Sequence, residues 1–156
     1  MYQTSDIASA APASSHIVVD LLRVAKLTRA YVEIATRVAG LRPGQDELII
    51  LLSAEPTRTV CQIAARLGVR PATVSKMLNC LSKKGLVEQI PDMLDHRKSA
   101  VVLTDAGVEM QALVREIWRG VEENLFGGLS DSETGEIREA LELLDEQLKE
   151  RLARLR

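Results

Sequence analysis

At 156 residues, 46% apolar and 27% charged, the chain is near the usual size of one domain and long enough to bury a core. It has no basic patch leading into an apolar run at its start and no apolar stretch near the ~18 residues of a membrane span; Ile49–Leu52 falls in the longest aliphatic block, and a cytoplasmic address is expected. The net charge of −2 hides a division that matters more than the sum, with seven basic and three acidic residues over Arg66–Lys98 but ten acidic and two basic over Glu122–Glu150, so one face can attract a polyanion that the rest repels.

Residues 1–15, rich in Ala, Ser and Thr, show no helical or strand period and are expected to form a disordered tail. From His16, the positions Ile17, Leu21, Val24, Thr28, Tyr31, Ala35 and Val38 recur at alternating spacings of four and three. That is one long amphipathic helix, ending at Gly40. Pro43 suits the first turn of a second helix whose apolar body is Glu47–Leu52 and which Pro56 stops. Thr59 precedes a short helix, Val60–Leu67, with Gly68 placed for a left-handed cap. The next helix starts at Pro71, carries Val74, Met77, Leu78 and Leu81 on its apolar side and stops near Gly85.

Leu86–Ile90 and Ala100–Leu103 are β-branched, apolar runs around the polar segment Pro91–Ser99, which predicts a two-stranded hairpin with a long loop, the wing. Thr104 caps a helix running to about Phe126, broken by Gly127–Gly128. Ser130 and Glu133 form a capping box for the last helix, with Ile137, Leu141, Leu144, Leu148, Leu152 and Leu155 along one side and three arginines in its final turns, where the helix dipole favours them. The predicted fold is mainly α with a small β-hairpin. It is a winged helix-turn-helix in a single domain, 16–156, whose residues 16–40 and 105–156 supply dimerisation helices around a DNA-binding lobe, 43–104.

A helix-turn-helix followed by a hairpin makes its second helix a ridge that fits the major groove of B-DNA. With Val74, Leu78 and Leu81 inward, the helical period turns Ala72, Thr73, Lys76, Asn79 and Lys83 outward, and no acidic residue occurs from Pro71 to Lys84. Thr73 can donate a hydrogen bond or offer its methyl to thymine, Asn79 can pair with adenine, and Lys76 can reach guanine or phosphate. Ser75 and Arg70 suit backbone clamps. In the wing, Arg97 and Lys98 can approach the minor groove, where the potential is most negative, with Asp95 orienting the loop. The bland alternative, a solvated lysine face, normally mixes charge signs.

The first and last helices carry more apolar surface than so small a lobe can cover, and a second copy is the economical partner. Its two-fold symmetry would set two recognition helices about 34–36 Å apart. The chain lacks a phosphate loop, a nucleophile elbow and an HExxH pair, and His16 and His96 lie in different elements. No enzyme, metal site or cofactor is expected. Cys61 and Cys80 fit no metal or redox spacing and suit half-buried packing as free thiols; oxidation of Cys80, one turn from Lys76, is a lesser alternative. A winged helix used only for protein contacts is another.

Several segments together resemble the MarR-type (multiple antibiotic resistance regulator) family of winged helix-turn-helix repressors. They are Gln62-Ile63-Ala64-Ala65-Arg66-Leu67-Gly68-Val69, Pro71-Ala72-Thr73-Val74-Ser75-Lys76, Leu81-Ser82-Lys83-Lys84-Gly85-Leu86-Val87, Asp92-Met93-Leu94-Asp95-His96-Arg97 and Leu103-Thr104-Asp105-Ala106-Gly107. The order of elements agrees from His16 onward. The resemblance implies a homodimer on a pseudo-palindromic operator, an arginine at Arg97 that contacts the minor groove, and release by a small-molecule effector lodged between dimerisation helices and DNA-binding lobe. It does not say which residues line that cleft; Arg29, Tyr31 and Trp118 are polar or aromatic residues on the relevant helices. One departure is Leu94, where many members carry a further arginine.

Overall fold

The computed structural model describes residues 16–53, 59–91 and 99–155; the expected tail and the wing segment 92–98 lie outside them. Among the described residues, six α-helices, a short 3-10 turn at Arg37–Ala39 and one antiparallel hairpin occur, in the order α1 (Ile17–Thr36), α2 (Gln45–Ser53), α3 (Val60–Leu67), α4 (Pro71–Lys83), β1 (Val87–Pro91), β2 (Ser99–Leu103), α5 (Asp105–Phe126) and α6 (Asp131–Arg154), the 3-10 turn following α1. The hairpin register pairs Val87 with Leu103 and Gln89 with Val101.

Local chemistry places most of these boundaries. Thr59 and Gln62 form a reciprocal capping box at α3, the Gln62 amide N–H donating to the Thr59 hydroxyl at 3.3 Å and the Thr59 amide N–H to Gln62 Oε1 at 2.8 Å. Thr59→Ala is therefore expected to cost about 1 kcal/mol of stability, readable as a lowered midpoint in urea with an unchanged slope. Arg70 precedes α4, whose first residue is Pro71, and a Schellman pattern ends it, with Gly85 N–H donating to Ser82 O and Leu86 N–H to Leu81 O. That pattern holds Leu86 out of the hairpin, so β1 starts at Val87 and not, as the sequence suggests, at Leu86. Helix α2 also starts later than expected. Gly44 sits at φ +82°, outside helical space, so Pro43 belongs to the turn before the helix, and Arg42 N–H donates to Gln45 Oε1 at 3.0 Å. At α6, the backbone N–H and hydroxyl of Ser130 donate to Glu133 and hold its carboxyl below the usual carboxylate range. That cap is present above the ordinary carboxylate pKa and fades as acidification passes through the lowered one.

The core lies between α2, α3, α4, the hairpin and the first half of α5. Leu48, Ile49, Ile63, Val74, Leu78, Leu81, Val87, Val101 and Val114 are all buried. The Gln111 side-chain amide donates to Ile49 O at 2.7 Å and ties α5 to α2 inside it. By contrast, α1 buries only Thr36 and α6 buries no residue. Their apolar stripes face outward, with Leu22 at 66%, Leu141 at 54% and Leu148 at 52% exposure.

Candidate nucleic-acid interface

The unit that presents α4 is held from three sides. Val74, Leu78 and Leu81 anchor its inner face in the core. Thr104 anchors the base of the hairpin, donating its hydroxyl to Gly85 O at 2.5 Å and accepting from Gly107 N–H at 3.1 Å, while its own N–H donates to Leu86 O at 3.2 Å. Gly107 is the only residue type that fits there, since a Cβ would stand 2.0 Å from Leu86 O.

Ala72, Thr73, Lys76, Asn79 and Lys83 are exposed, as the helical period predicts, and so are Arg70, Pro71 and Ser75. The Ser75 hydroxyl donates back to Pro71 O at 3.1 Å, which leaves its oxygen free to accept but makes it a weaker clamp than a free hydroxyl. Lys84, counted with the basic middle of the chain, is used differently: its ammonium donates to Gly40 O at 2.5 Å, fastening the end of α4 to the end of α1. Asp95, Arg97 and Lys98 lie outside the described residues. Cys80 is half-buried but Cys61 is exposed, on the solvent side of α3, so the expected packing role holds for one thiol only. Among the described residues, no three His, Cys, Asp or Glu side chains gather into a metal-sized cluster.

A cavity of about 690 Å³ lies between α1, α2, α5 and α6. Leu21, Val24, Val32, Trp118, Val121 and Leu125 give it apolar walls, and Arg29 and Glu47 stand at one edge. Those two are ion-paired, which joins α1 to α2. The Trp118 indole N–H is buried and has no hydrogen-bond partner among the described residues. Of the three residues singled out from the sequence, Arg29 and Trp118 line this cavity and Tyr31 does not.

Comparison with solved structures gives this architecture its place. A MarR protein from Peptoclostridium difficile superposes with a TM-score of 0.82 over 97% of this chain and 99% of its own, at 20% identity. The chain has the MarR fold. A second MarR-fold structure, CouR from Rhodococcus jostii bound to p-coumaroyl-CoA, matches with a TM-score of 0.72 over 83% of this chain and 92% of its own, at 22% identity. In sequence, residues 54–93 match the family described as iron dependent repressor, N-terminal DNA binding domain, a span that takes in α3, α4 and β1 of the MarR fold. A protein from Thauera aromatica assigned to transcriptional regulation of the hcr operon is 24% identical over 128 residues, 82% of this chain and 77% of its own length.

Proposed function

We propose that this chain is a MarR-type transcription regulator, a homodimer that binds a pseudo-palindromic double-stranded operator, represses from it and is released by a small molecule. The observation that carries the DNA-binding part is the outer face of α4: nine exposed residues from Arg70 to Lys83, none acidic, on a helix whose opposite side is fixed in the core. Such a face meets phosphates without repulsion and offers donors and a thymine-compatible methyl to base edges. The match of residues 54–93 to a DNA-binding domain and the Thauera aromatica relative support the same reading. A regulator of this kind works where the DNA is, in the cytoplasm, and needs no catalytic residue.

The homodimer rests on α1 and α6, whose apolar stripes are left largely exposed by the described residues. The effector rests on the cavity between α1, α2, α5 and α6, which touches both the dimerisation helices and, through Glu47, the DNA-binding lobe. A ligand that binds one separation of the two lobes better than the other shifts the dimer toward it. CouR, with its bound p-coumaroyl-CoA, is a MarR-fold structure holding a ligand.

A mobility-shift titration across salt concentration tests the reading. Affinity should fall steeply and linearly on a log–log scale as phosphate counterions are released, and a protein-contact module would show no such binding. In the same assay Arg97→Ala should weaken binding by about tenfold, most on A·T-rich flanks.

A further inference from the structure

We propose that the corner between α1 and α2, residues 40–44, seats α4 for DNA binding, and that Lys84 and Met77, which hold α4 to it, are positioning residues and not groove contacts. This rests on the dimeric DNA-binding reading above and adds what fixes α4 relative to the dimerisation helix α1.

The corner is held in one shape. It leaves the 3-10 turn through Gly40 at φ +67° and enters α2 from Gly44 at φ +82°, two left-handed positions that glycine adopts without strain. Between them Leu41 is buried in the core. Arg42 and Gln45 are tied both ways, Arg42 N–H donating to Gln45 Oε1 and Gln45 N–H to Arg42 O, each at 3.0 Å, and Gln45 is itself buried. A corner so fastened moves as one piece.

It meets α4 at two points on one line. Met77 and Lys84 are seven residues apart, about two helical turns, and so share a side of α4. The Lys84 ammonium donates to Gly40 O at 2.5 Å, at the end of the α1 run, where unpaired carbonyls and the helix dipole favour a cation. The Met77 methyl lies against Gly44, 2.7 Å from where a Cβ would stand. Neither residue belongs to the set that the helical period turns toward the groove.

The other side of the corner faces the dimer. Thr36, the one buried residue of α1, lies four residues before Gly40, so α1 is rooted in the lobe at this corner. A shift of α1 is therefore delivered to the end of α4 through Gly40 and to its middle through Gly44. Glu47, ion-paired with Arg29 at the edge of the larger cavity, is in the first turn of α2, three residues past Gly44. A molecule in the cavity that moved Glu47 would reach α4 by the same route.

A spacing experiment tests the assignment. Full-length Lys84→Met, Lys84→Arg and Met77→Ala chains are titrated, at several salt concentrations, onto a genomic fragment selected by the unaltered chain and onto copies with one or two base pairs inserted between the half-sites. Circular dichroism confirms that each variant is folded. The unaltered chain should strongly prefer the original spacing. Lys84→Met should bind the original fragment about tenfold more weakly with its salt slope unchanged, and should lose most of its preference over the inserted copies. Met77→Ala should show the same pattern, and Lys84→Arg, which can still donate to a carbonyl, should restore both affinity and preference. A Lys84→Met chain that binds like the unaltered one would overturn the proposal. So would a salt slope reduced by about one for each copy, the mark of a lysine on phosphate, and so would an equal loss at every spacing, the mark of a general loss of stability. An unaltered chain that binds no fragment, or only single unpaired sites, would overturn the dimeric DNA-binding reading itself and this proposal with it.

Discussion

Lys76→Glu is expected to lower affinity for every DNA fragment by about a hundredfold at physiological salt and to flatten the salt dependence. The side chain is exposed near the centre of α4's outer face, which carries no acidic residue of its own, so the glutamate would introduce the first negative charge there. In a two-fold dimer the substitution removes two cations and adds two carboxylates, both facing the groove. Asn79→Ala supplies the contrast. An asparagine that reads one base edge contributes about 1–3 kcal/mol of discrimination at that position, so its loss should relax preference at a single base pair in each half-site and leave the salt slope unchanged. If both variants bind like the unaltered chain, α4 does not enter the groove.

Gly107→Val is expected to be the most damaging single change to stability. Even a Cβ would stand 2.0 Å from Leu86 O and 3.1 Å from Leu103 Cδ2. The Leu86 carbonyl has little room to retreat, since it accepts from Thr104 N–H while Leu86 N–H is committed to Leu81 O. Either the N-terminus of α5 lifts off the hairpin or the α4–β1 turn opens, and a loss of about 3 kcal/mol or more is expected. The melting temperature should fall by roughly 10 °C, and DNA affinity should fall with it because the same turn sets the angle of α4. Gly120→Ala, in the same helix but with nothing within 4 Å of a built Cβ, should be neutral or stabilising by up to about 1 kcal/mol. Equal melting of the two variants would remove the close-approach explanation.

Much of this fold is legible in the sequence because its boundaries are set by neighbours in the chain. The capping boxes at Thr59 and Ser130, Pro71 at the start of α4 and Gly68 at the end of α3 act within a few residues. The outward face of α4 is legible for the same reason, since a 3.6-residue period and three aliphatic anchors fix which side chains point away. What sequence reasoning missed depends on distant partners. Arg29 and Glu47 are 18 residues apart and pair only once α1 crosses α2. Lys84 reads only as one more cation of the basic middle until its ammonium is seen on Gly40 O, 44 residues away. The start of α2 is not legible in the sequence, because Pro43 is a good first helical residue and only the positive φ at Gly44 shows that the helix has not yet begun. The exposure of Cys61 follows from how α3 sits on α2 and β2, which no local pattern states.

The central claim is that one dimer reads two half-sites with two α4 helices, and the most direct measurement is to select genomic fragments with the purified chain and footprint those that bind. The enriched fragments should carry an inverted repeat whose half-sites lie about 10 base pairs apart, centre to centre, protected on one face of the duplex. No enrichment, or protection of a single unrepeated site by a monomer, would contradict it.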